Sequence, residues 1–126
     1  MTGPQVIDIA ALLEPISEEA AAGTDSRGDK QSDSLYYRVK DARNAARSEE
    51  RSAIETGAAT PEEWNTVVST SIELLTTASK DLEVAAWLVE GLVRTEGFAG
   101  LRDGLAVIAG IARDYWEACF PELDED

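Results

Sequence analysis

The chain has no histidine and a single cysteine among its 126 residues. The missing imidazole removes the usual general base, the commonest metal ligand and every Ser-His or Cys-His nucleophile pair. Cys119, in the run DYWEACF, can close no disulfide within the chain, and one thiolate cannot build a zinc site, so a reducing compartment is expected. Oxygen-ligand metals remain, but the loop DSRGDKQSDS lacks the spacing and final glutamate of an EF-hand. No apolar run approaches the roughly 20 residues that cross a bilayer, and the N-terminus MTGPQVIDIAALLEP has no basic n-region or cleavage site. Basic residues are scarce too: 11 stand against 25 acidic ones, for a formal net charge of -14. Such a charge repels phosphate backbones and anionic headgroups, which argues against nucleic acid and membrane insertion. A cytoplasmic protein without metal or cofactor is predicted.

Carboxylates are abundant, yet the adjacent pairs Glu18/Glu19 and Asp124 to Asp126 lie on a loop and a tail. Without burial to separate their pKa values they offer no acid and base roles. The glycines of GFAGLRDG follow a helix rather than a strand and lack the Lys-Ser ending of a phosphate loop, so close helix packing is their expected use. No catalytic residue is nominated, and an enzyme is not expected.

What is present is helical periodicity. Apolar residues recur every three or four positions, and no segment alternates with period two, so an all-α fold is predicted: a compact bundle of about five helices with a long N-terminal loop, forming one domain over residues 1–126. The helices are placed at 7–13, 33–48, 61–78, 80–96 and 99–119, with a loop over 14–32, a mobile linker over 49–60 and an acidic tail over 122–126. Thr60, Pro61 and Glu63 read as a capping box with proline in the first turn, and Ser79 as the cap of the fourth helix with Asp81 in its first turn. The stripe of that helix is Leu82, Ala85, Ala86, Val89, Leu92 and Val93. Trp87 and Leu88 widen it, making this the central helix and Trp87 a core residue before an interface anchor. The fifth helix buries Leu101, Leu105, Ile108, Ile111, Ala112, Tyr115 and Trp116 on the same reasoning.

The basic residues are uneven. Seven of the eleven fall between residues 27 and 51 against five acidic ones, so that segment is +2 and the remainder -16. Arg38, Arg43 and Arg47 form a candidate docking face for an acidic partner, beside the blander reading of a charge-laced helix surface. Asp25, Arg27 and Asp29 read as a loop pinned by charge-assisted hydrogen bonds, to Lys80 or Asp81, or as a direct partner contact.

Several motifs stand in a fixed order: Pro15-Ile16-Ser17; Gly23, Asp25, Arg27 and Asp29 at alternate positions; Trp64 leading a helix; Ser79-Lys80-Asp81-Leu82 followed by Ala85 to Leu88; Gly97-Phe98, Gly100 and Leu101; then Tyr115-Trp116 before Pro121 and acidic residues. In that order they resemble the ImpA N-terminal domain of the TssA proteins of bacterial type VI secretion systems. The chain departs from the pattern at Ser26, Gly28 and Lys30, where the family usually shows a leucine, an aromatic and a proline. The resemblance implies a non-enzymatic assembly domain that engages baseplate, tail tube or sheath proteins, with the first loop as a structural or docking element. Ser79, Lys80, Asp81, Leu82, Trp87, Gly97, Phe98, Gly100, Tyr115 and Trp116 would then supply helix caps and core. A relative with the same domain stops sheath growth at the opposite membrane, and a generic helical scaffold is the further alternative. The family's proteins continue into regions that drive ring assembly, so a large homo-oligomer is expected only of a longer chain.

Overall fold

A computed structural model describes residues 3–29, 31, 34–57 and 60–122. Its helices are α1 (Ile9–Leu13), α2 (Leu35–Thr56), α3 (Glu63–Thr77) and α4 (Leu82–Tyr115), with one 3-10 turn (Ser26–Gly28) in the first loop. The fold is an all-α bundle. Gly97 interrupts α4 at φ 63° and ψ -140°, a backbone that L side chains avoid, and divides it into arms 82–96 and 98–115. Five helical segments therefore pack together.

Local chemistry explains where each begins. The Asp8 carboxylate accepts from the Ala11 amide at 3.1 Å and starts α1 two residues later than periodicity predicts. The preceding stretch is occupied otherwise, because the Val6 amide donates to buried Asp103 at 2.6 Å. Ser34 caps α2 through the Tyr37 amide. The expected capping box of Thr60 and Glu63 does not form. Trp64 and Asn65 donate to the Pro61 and Glu62 carbonyls in a tight first turn, so Glu62 takes the cap position without a side-chain bond. Asp81, rather than Ser79, caps α4, its Oδ1 accepting from the Glu83 and Val84 amides at 2.9 and 3.1 Å.

The mobile linker expected over 49–60 is also corrected. Residues 49–56 continue α2, which ends only at Gly57 in the left-handed conformation with φ 73°. Glu50 holds this end, accepting from the Arg94 guanidinium at 2.7 and 3.0 Å and from the Trp64 indole at 3.0 Å. Ala58 and Ala59 lie outside the described residues, as do Lys30, Asp33 and tail residues 123–126.

The core gathers Leu12, Val39, Ala46, Trp64, Val67, Leu74, Leu75, Val84, Leu88, Leu92, Val107 and Ile111. α3 packs between α2 and the first arm of α4, and α1 lies across α3 and α4. Two predicted stripes were rotated from the faces that are buried. Ala86 and Val93 of the first arm are exposed, whereas Val84, outside the predicted stripe, is enclosed together with Leu88 from its edge. In the second arm Leu105 and Trp116 are exposed and Val107 is enclosed. The cause is glycine. A Cβ on Gly100 would lie 2.2 Å from the Leu92 carbonyl oxygen, one on Gly104 2.8 Å from Val89 Cγ2, and one on Gly110 2.4 Å from Leu13 Cδ1. The arm thus presents its smallest residues to its neighbours, and a pattern built on large side chains points away from that contact.

Candidate functional site

The tripeptide 79–81 connects α3 to α4 and is extended rather than helical. A segment of the first loop lies along one side: the Lys80 amide donates to the Ala22 carbonyl at 2.8 Å, and the Thr24 amide to Ala78 at 3.2 Å. Phe120 lies on the other, its amide donating to the Lys80 carbonyl at 2.9 Å and its carbonyl accepting from Leu82 at 2.7 Å. Gly23 permits this approach. Its φ is 79°, and a Cβ there would sit 2.0 Å from the Ala78 carbonyl oxygen. Ser79, Lys80 and Asp81 are consequently 0% exposed, and three distant parts of the chain meet on three consecutive residues.

Each buried side chain then requires an account. Lys80 Nζ donates to the Leu12 carbonyl at 2.7 Å and the Leu75 carbonyl at 2.8 Å, both in the last turns of their helices where carbonyls lack intrahelical partners and the dipole favours a cation. Its ammonium also lies 5.7 Å from the Tyr115 ring centroid. Burial lowers the Lys80 pKa to about 8, against a weaker upward pull from Glu14. The Tyr115 hydroxyl donates to Leu13 O at 2.7 Å and completes the closure of α1. Ser79 Oγ is buried without a partner among the described residues, as are Ser26 Oγ and Ser71 Oγ.

Asp81 faces the first loop, where Arg27 reaches it with two nitrogens at 2.7 and 3.1 Å. The same guanidinium donates to Glu83 at 2.7 Å and to Asp25 at 3.0 Å, and lies 4.8 Å from the Tyr36 ring centroid. Tyr36 donates its hydroxyl to Glu83 at 2.9 Å. Burial pulls the Arg27 pKa down, but the carboxylates of Asp81, Glu83 and Asp25 outweigh it and the net shift is upward. Burial likewise acts to raise the Glu83 pKa, yet Arg27 and Tyr36 bring it below the ordinary carboxylate value. The result is a loop clamped by one arginine against the N-terminus of α4. Beside it, a cleft of about 440 Å³ is lined by residues that include Asp25, Ser26, Asp29 and Tyr36.

Other motif residues are placed differently. Ile16 and Ser17 close the first loop upon itself, through Ile16 N to Ala21 O at 2.8 Å and Ala20 N to Ser17 Oγ at 3.0 Å, with Pro15 exposed beside them. Asp29 is exposed and outside the clamp, accepting from the Gln31 amide at 3.0 Å. Trp87 is buried, 5.5 Å from the Tyr36 ring and 5.6 Å from the Arg43 guanidinium. Phe98 and Trp116 do not belong to the core: they are 76% and 62% exposed. Phe98 follows the break at Gly97 directly and is carried outward by it. Trp116 follows the last turn of α4 and lines an open groove of about 570 Å³ with Leu82, Cys119 and Phe120.

The docking face proposed from Arg38, Arg43 and Arg47 is not one face. Nine residues at about 100° each make two and a half turns, so Arg38 and Arg47 leave opposite edges of α2. Between them Arg43 is engaged, donating to Glu90 at 2.8 Å and lying over Trp87. It is part of a polar seam that the sequence reading missed. α2 and the first arm of α4 run parallel, joined by Tyr36 to Glu83, Arg43 to Glu90 and Glu50 to Arg94. Positions 36, 43 and 50 recur every seventh residue, as do 83 and 90, and that spacing was the available signal. Asp103 was missed as well. It is buried, and holds the Val6 amide while Arg102 donates to it at 2.8 Å and to Gly3 O and Pro4 O.

Comparison with known proteins bears on this arrangement. The family model described as "ImpA, N-terminal, type VI secretion system" matches residues 13–126. Over 68 residues the chain is 40% identical to type VI secretion system component TssA1 of Pseudomonas aeruginosa, a match covering 54% of this chain and 20% of that protein. A solved structure, the N-terminal domain including the conserved ImpA_N region of the TssA component from Burkholderia cenocepacia, superposes with a TM-score of 0.70 at 32% identity. That superposition covers 99% of this chain and 43% of the other, so the chain spans less than half the length of either relative.

Proposed function

This chain belongs to the ImpA N-terminal family of the type VI secretion system, and from that premise we propose that it is a non-enzymatic, cytoplasmic assembly domain that engages baseplate, tail tube or sheath proteins. One observation carries the reading: Arg27, the cation of the first loop, is bound by three carboxylates and is not among the residues lining the cleft beside it. Arg27 contacts Asp81, Glu83 and Asp25, and Tyr36 completes the set. A group held in this way is poorly placed for proton transfer but well placed to keep a loop rigid. Rigid loops bind protein partners with less loss of conformational entropy.

The test is affinity capture with this chain as bait, in cells with an intact secretion system. Comparison is made with a variant in which Arg27→Glu unfastens the loop. Baseplate, tube or sheath components should be retained by the first and reduced at least tenfold by the second. Retention of none of them by either form would overturn the proposal. A folding control on the purified domain separates a loosened loop from a lost fold.

A further inference from the structure

The outward side of the α2–α4 seam carries charge that the fold leaves unanswered. Lys40, Arg47 and Arg51 are exposed, and their spacing brings them off α2 within about 40° of one another. They form one straight row about 16 Å long. No carboxylate of the described residues is ion-paired with any of the three. Glu50 and Glu83 feel Arg47 and Lys40, but their oxygens are already held by Arg94 and Arg27. The Lys40 ammonium rests 5.8 Å from the Tyr37 ring centroid. Inward of the row, Arg43 and Glu90 neutralise each other. On the far side of the seam the first arm of α4 exposes Ala86 and Val93.

We propose that this face docks an acidic amphipathic helix of another protein. Cations fixed along a helix axis match a partner whose charges are fixed at the same rise. Such a partner carries carboxylates at i, i+7 and i+11 and small apolar residues on the flank that meets Ala86 and Val93. Nucleic acid and a second copy of this chain fit less well, since both meet a molecule of net charge -14. The favoured occupant therefore confines its negative charge to one helix. Arg38, on the opposite edge of α2, takes no part. This surface is distinct from the loop clamp, and naming the chemistry of its partner rests on reading the chain as a protein-interaction domain.

The probe is a synthetic helical peptide with glutamates at that spacing and alanines on the flank, followed by fluorescence anisotropy against the 126-residue chain. A scrambled peptide of identical composition and net charge is the first control. The patterned peptide should bind at least tenfold more tightly than the scrambled one and weaken steeply with added salt. Binding should fall at least tenfold for Lys40→Glu/Arg47→Glu/Arg51→Glu, and stay within twofold for Arg38→Glu, with circular dichroism confirming that both variants are folded. Equal binding of the two peptides, no binding of either, or an unaffected triple variant would overturn the proposal. So would self-association in sedimentation that the triple variant abolishes, because the occupant would then be a second copy. The readout needs no secretion component, so it can fail while capture of those components succeeds, and the reverse.

Discussion

Two clusters in this molecule use the same ion-pair chemistry in different surroundings. Around residues 79–81, Asp81 and Lys80 are wholly enclosed, and Arg27 approaches Asp81 from a half-buried loop. Along the α2–α4 seam, Arg43 and Arg94 meet Glu90 and Glu50 at equally short distances, 2.8 and 2.7 Å, but at the edge of solvent. Distance alone would rank them together. Surroundings separate them, because a buried charge deprived of its partner keeps its desolvation cost, whereas an exposed one regains water. The knot therefore organises the fold, and the seam trims the angle at which two helices meet.

The largest expected effect comes from cutting the knot. Asp81→Ala should cost about 3 kcal/mol, since it takes from Arg27 its one fully buried partner, leaving Glu83 and Asp25, and also uncaps α4 at Glu83 and Val84. Denaturant unfolding decides this, and a loss under about 1 kcal/mol would put knot and seam in one class. Lys80→Met keeps the aliphatic stem but leaves two carbonyls without a donor, for about 2 kcal/mol at neutral pH. Its pH dependence sharpens the contrast. The Lys80 pKa is about 8 in the folded chain against an ordinary 10.5, so the unfolded chain binds more protons between those values and stability rises with pH across that window. The advantage of wild type over Lys80→Met should grow by up to roughly 3 kcal/mol from pH 8 to 10.5. A constant gap would mean that the lysine is not held as described.

Smaller effects belong to the seam. Arg43→Ala should cost about 1 kcal/mol, from one half-exposed ion pair and some cover over Trp87. A double-mutant cycle with Glu90→Ala should return a coupling of about 0.5 kcal/mol that shrinks in high salt. A coupling above about 2 kcal/mol would break the comparison. Arg47→Ala, which removes no ion pair among the described residues, should leave the unfolding free energy within about 0.5 kcal/mol of wild type.

What the sequence determined by itself was what depends on near neighbours. Period-3.6 patterning marked the helical segments, Gly97 marked the break in α4, and the ordered motifs from Pro15 to Pro121 carried the family resemblance. These signals lie within a turn or two of the residues they govern. Tertiary structure decided the rest, because the deciding partner was far along the chain. Whether α2 stopped at 48 or ran to Thr56 depended on Arg94 and Trp64 reaching Glu50. Which faces of α4 were buried depended on how closely Gly100 and Gly104 let the two arms approach. Asp81 became the cap in place of Ser79 because pairing of residues 22–24 and Phe120 with 79–81 keeps that tripeptide extended. Whether an arginine was free to dock depended on whether a glutamate 47 residues away stood across from it, as Glu90 does for Arg43 and no carboxylate does for Arg47 among the described residues. Periodicity along one helix gives the direction of a side chain, and only the packed fold supplies what it meets there.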